Sequence, residues 1–159
     1  MDRKSTTGLE RCELIEAPIF PATYKNKNQA AGIAYEKRVA RYLKELLAQD
    51  TIIHGQWLRY FDELTDEYGS IAQPDILVVP SDTSKPLHLI ECKLCYRPEA
   101  NKKLARLYKP LVEFCWPSYK IKTIQVFRSV LKGTTIELDS RLKDIYDTDF
   151  THQNIMEIL

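Results

Sequence analysis

Glycine is scarce, with five in 159 residues, and none stands in the closely spaced pattern that lets backbone amides cradle a phosphate. Phosphate-loop chemistry is therefore not expected. Long apolar runs are missing as well: no stretch approaches the roughly 18 residues of a membrane span, and the opening MDRKSTTGLERCELIE lacks the apolar core of a secretory signal. A cytoplasmic protein with no membrane partner is the expectation. The histidines His54, His88 and His152 are isolated, which speaks for structural or surface roles and against a histidine-rich metal site. Four cysteines, at 12, 92, 95 and 115, are too few and too irregularly placed for a secreted disulfide scaffold. Cys92 and Cys95 do form a CxxC, but only Cys12 and Cys115 remain to complete a four-thiolate site, so zinc is discounted.

What is present is the balance of a folded globular chain, 44% hydrophobic and 28% charged, of a length that builds one core. The net charge of +1 hides an uneven distribution. Residues 139–159 carry several acids, whereas RPEANKKLARLYK over 97–109 sets Arg97, Lys102, Lys103, Arg106 and Lys109 against Glu99 alone. Lys102, Lys103, Arg106 and Lys109 fall at helical spacing among Leu104, Leu107 and Leu111. They are either a solvated helix face or a surface for nucleic-acid phosphates. Tyr96, Tyr108, Trp116 and Tyr119 could stack on unpaired bases, although core or rim packing explains each of them more simply.

The first 28 or so residues show no sustained period, contain Pro18 and Pro21, and read as an extended arm (1–28) ahead of a single domain (29–159). From Gln29 to Gln49 the spacing of Ile33, Val39, Leu43, Leu46 and Leu47 predicts a helix. Three apolar stretches, 51–60, 71–79 and 86–94, separated by DELTDEYGS and PSDTSK, predict successive strands. A helix is expected from Pro98 to about Trp116, kinked or divided at Pro110. IKTIQVFRSVL then reads as a strand and ELDSRLKDIY as a short helix or turn. The order helix, strand, strand, strand, helix, strand makes an α/β fold in which a mixed central sheet is flanked by helices.

Alternation along a strand puts Glu91 and Lys93 on one face with Leu87 and Leu89, and sends Cys92 to the other. In the preceding strand Asp75 enters an apolar run directly after Pro74. On the first helix Glu36 falls in line with Ala40, Leu43 and Leu47, on the side that should meet the core. Burying a carboxylate is costly unless it is paired or binds a metal. Three carboxylates converging with one lysine would suit a hard cation such as Mg²⁺ or Mn²⁺. Such a set supports phosphodiester hydrolysis, with Asp75, Glu91 and Glu36 as ligands and Lys93 orienting water or stabilising developing charge. The bland alternative is that Asp75 caps a turn while Glu91 and Lys93 form a solvent-facing pair on an edge strand.

The segments PD (74–75) and ECK (91–93) resemble the PD-(D/E)xK signature of restriction-endonuclease-like nucleases, and the order of elements over roughly 30–130 looks like their common core. The resemblance implies Asp75 and Glu91 as metal ligands, Lys93 as catalytic lysine, and Glu36 as the acid that many members carry on the first helix. GIAYEKRVARYLKEL, with Gly32 ahead of Glu36, is similar to the opening of small Holliday-junction resolvases. The implied activity is a Mg²⁺-dependent endonuclease on branched, flapped or damaged DNA, in replication, recombination or repair, of a size that suits a phage nuclease. Symmetric cutting of two strands would require a homodimer. An RNA substrate, or a binding module that keeps the fold without catalysis, are the alternatives.

Overall fold

The structure, a computed structural model, describes residues 3–19 and 26–129; ELDSRLKDIY, the acidic stretch 139–159, the last residues of IKTIQVFRSVL, His152 and Pro21 lie outside them. Its elements are β1 (Arg11–Ile15), α1 (Lys27–Leu46), β2 (Thr51–His54), β3 (Trp57–Phe61), β4 (Ser70–Ala72), β5 (Ile76–Val79), β6 (Leu87–Cys95), α2 (Pro98–Lys103), α3 (Lys109–Cys115) and β7 (Ile121–Ser129). They form a mixed α/β fold with two sheets, a three-stranded β1-β3-β4 and a four-stranded β2-β5-β6-β7.

Helix α1 opens on a capping box in which Asn26 accepts from the Gln29 backbone and Gln29 returns a bond to Asn26. Its apolar stripe, Tyr35, Val39, Ala40 and Leu43, covers one face of the larger sheet through Ile76, Val78, Ile90, Cys92, Ile124 and Val126. The opposite face, with Leu77, Leu87, Leu89 and Ile121, packs on Leu104, Leu107, Leu111 and Val112 and on the smaller sheet's Leu58 and Tyr60. β6 is thus central and buried from both sides, with β5 antiparallel and β7 parallel to it. The parallel neighbour follows from the helical crossover between β6 and β7.

Two expected strands are each divided. The run 51–60 breaks at Gly55, which has φ +72°, and 71–79 breaks at Gln73–Asp75 around Pro74, so β2 and β5 enter the larger sheet while β3 and β4 enter the smaller. The two breaks hold each other: Gly55 N–H donates to the Asp75 carbonyl at 2.8 Å, and Gln73 Nε2 donates to the Gly55 carbonyl at 3.1 Å. Left-handed backbone at Gly55 and the missing N–H of Pro74 let the chain turn this corner.

The segment 1–28, expected to be an extended arm ahead of the domain, instead contributes a strand to the smaller sheet. β1 pairs antiparallel with β3, and the residues before it are tied down by Arg3, which makes two hydrogen bonds to Asp62, at 2.9 and 2.6 Å. Pro110 explains another tie. It has no N–H to return to the carbonyl of Arg106, and Thr6 N–H takes that carbonyl instead at 3.0 Å. Upstream of this point the helix widens into a π-helical turn, Leu104–Tyr108, closed by Lys109 N–H to the Leu104 carbonyl.

Candidate functional site

The pairing of Ile76 with Ile90 and of Leu77 with Leu89, continued by one residue, sets Asp75 opposite Glu91. Asp75 stands just before β5, and its Oδ2 accepts from the Cys92 N–H at 2.7 Å. Glu91 is 5% exposed. Its Oε1 lies 3.4 Å from Lys93 Nζ, while its Oε2 is buried with no hydrogen-bond partner among the described residues. The alternative of a solvent-facing edge pair does not fit, because β6 lies between β5 and β7.

Burial raises the Asp75 carboxyl to about 8, reinforced by the negative charges of Glu91 and Glu36 and opposed by the Cys92 amide and Lys93. Burial also raises Glu91, against the nearby charge of Lys93. Both shifts express one physical fact, that anions crowd together out of water. Glu36 reaches the same place from α1. Its Oε1 accepts from His54 Nε2 at 2.9 Å, so the residue read from sequence as isolated has a direct partner in the acidic group. Among the described residues no three His, Cys, Asp or Glu side chains are grouped closely enough to hold an ion as they stand.

Two adjoining clefts open onto these groups. A cleft of about 640 Å³ is lined by Gln29, Glu36, Asp75, Lys93, Cys95 and Arg97. A smaller one of about 200 Å³ is lined by Lys4, Glu91, Lys93, Arg97, Glu99 and Lys103. Of the four basic residues nominated on the second helix, only Lys103 reaches either cleft. Lys102 and Arg106 are exposed elsewhere, and Lys109 lies 3.8 Å from Glu113. The cations beside the acids are instead Lys93, Lys103, Arg97 and Lys4, and nothing local in the sequence marks Lys4.

Gln125 was also missed. Fully buried on β7, it accepts from Arg97 N–H and donates to the Arg97 carbonyl, both at 2.9 Å, and so fixes where the chain leaves β6. A polar residue in the apolar run TIQVF was its signal. The cysteines are free thiols. Cys92 faces α1, away from Glu91, with its thiol raised by burial, whereas Cys12 and Cys115 are neighbours in the core between β1 and α3. No family model matches this chain, and no curated protein or solved structure matches it.

Proposed function

We propose that the chain is a metal-dependent endonuclease that hydrolyses phosphodiester bonds in DNA, built on a restriction-endonuclease-like core. The observation that carries this reading is Glu91, a carboxylate with a side chain 7% exposed, one oxygen beside Lys93 and the other without a partner. Leaving a buried carboxylate oxygen unsatisfied is costly. Glu91 stands opposite Asp75 in the sheet and lines a cleft, so a hard divalent cation would give that oxygen a partner.

The residues fit Mg²⁺ or Mn²⁺ held by Asp75 and Glu91, with Glu36, whose Oε1 is held by His54, as a third carboxylate from α1. Bound there, the cation would neutralise the scissile phosphate and make the attacking water more acidic. The chain's own groups do the rest. Lys93, with its side chain 38% exposed, can reach substrate while Glu91 restrains its ammonium, which places a positive charge where negative charge develops. Arg97, Lys103 and Lys4 lie where flanking phosphates would run. One observation favours a second reading, a nucleic-acid-binding module without catalysis: Glu36 is engaged by His54, so the carboxylates do not form a ready cage.

The test is cleavage of labelled single strands, duplexes, flaps and four-way junctions, in DNA and RNA, with Mg²⁺, Mn²⁺ or EDTA. Metal-dependent cutting should fall at least about 100-fold in Lys93→Ala, with DNA preferred. Binding without cutting on every substrate would leave the binding-module reading, and cutting confined to RNA would overturn the choice of DNA.

A further inference from the structure

A third cleft, of about 530 Å³, lies between the smaller sheet and the helical layer, with Arg3, Trp57, Tyr60, Gln73, Lys103 and Tyr108 among its lining. It is not separate from the acidic site. Lys103 lines both this cleft and the one that holds Glu91 and Lys93, and Gln73 stands two residues before Asp75. Its composition is particular. Arg3 Cζ sits over the Tyr60 ring, 5.5 Å from its centroid, and Lys103 Nζ over the Tyr108 ring at 5.2 Å, so each of these rings already carries a cation on one face. Tyr60 and Tyr108 are nearly buried, whereas Trp57 is half-buried and offers the most accessible ring.

A half-buried indole beside a cation suits a nucleotide: the Trp57 ring offers a face to a base and the Lys103 ammonium a charge to its phosphate. The volume falls in the range of small-molecule pockets. A base inside a duplex has both faces stacked and its edge paired, so it reaches such a cleft only after leaving the helix, which is easiest where it is already unpaired. We infer that this cleft receives an unpaired nucleobase of the strand whose phosphate lies at Glu91 and Lys93, and that the substrate is therefore nucleic acid with a single-stranded nucleotide beside the cut. The inference rests on the nuclease reading above and narrows its substrate class. It also gives the N-terminal residues a role, since Arg3, anchored on Asp62, builds one side of the cleft.

The experiment is equilibrium binding by the full chain with Ca²⁺ replacing Mg²⁺, with affinity read from the anisotropy of end-labelled probes and Trp57 emission followed alongside in a Trp116→Phe background. The three probes are a fully paired DNA duplex, the same duplex with one unpaired nucleotide, and that duplex with an abasic residue at the unpaired position. The unpaired base should bind on the order of tenfold more tightly than the abasic probe and quench Trp57, and Trp57→Leu should erase that difference while still binding duplex. Equal affinity for base and abasic probes overturns the inference and leaves the nuclease reading standing. So does a preference for the base with unchanged Trp57 emission, which would place the base elsewhere. Failure to bind any probe overturns both. The comparison of probes on the chain with Trp57 intact decides the matter even if Trp57→Leu fails to fold.

Discussion

Asp75 shows how position converts an ordinary side chain into a poised one. Flanked by Pro74 and Ile76, it loses most of its hydration, faces Glu91 and Glu36, and its carboxyl rises from 3.8 to about 8. Between those values the folded chain holds a proton that the unfolded chain has released, so stability must decline as pH rises through that window. Thermal melts of metal-free protein should show this decline from about pH 4 to about pH 8. Asp75→Asn should flatten it and raise the melting temperature at pH 8, because a neutral amide removes one of the crowded anions. A curve for Asp75→Asn parallel to that of the unsubstituted chain would mean that Asp75 is ionised throughout.

At the scale of elements, the acidic group depends on a corner between two sheets. β2 runs into β3 through Gly55, β4 runs into β5 through Pro74, and Gly55 binds the backbone of Asp75 and the side chain of Gln73. A Cβ at Gly55 would lie 3.0 Å from Gln73 Nε2 on a backbone with φ +72°. Gly55→Ala should therefore cost about 1–2 kcal/mol in denaturant unfolding. It should also lower cleavage by more than that loss of stability explains, since the Asp75 carbonyl is held by the residue being changed. An unchanged unfolding midpoint would show that the corner relaxes freely.

For the whole molecule, segments far apart in the chain close the fold around the site. Arg3 and Asp62 are 59 residues apart, and the Arg3 hydrogen bonds, aided by the Thr7 and Leu64 amides, hold the Asp62 carboxyl down to about 2. A depressed carboxylate stabilises the fold fully above its unfolded value of 3.8, and that stabilisation is lost as pH falls toward about 2. Arg3→Ala leaves Asp62, whose side chain is 0% exposed, without its cation. It should cost about 3 kcal/mol and weaken the acid sensitivity between pH 4 and 2. Chemical denaturation across that range checks both, and an Arg3→Ala curve with the original acid slope would assign the sensitivity to other carboxylates.

The α1 stripe and the course of β6 and β7 were legible in the sequence, because a 3.6-residue or two-residue period is a local consequence of backbone geometry. So was the shared face of Glu91 and Lys93, and the carboxylate entering the apolar run at Asp75. The exchange of strands between sheets at Gly55 and Pro74 was not, since each flank still has strand composition and only long-range pairing chooses its sheet. Nor were the His54 partner of Glu36, the Gln125 clamp on Arg97, or the approach of Arg3 and Lys4. The Thr6 bond to Arg106, 100 residues away, shows why. Local period determines which side chains share a face, but which faces meet is decided by packing between segments whose separation in the chain carries no pattern.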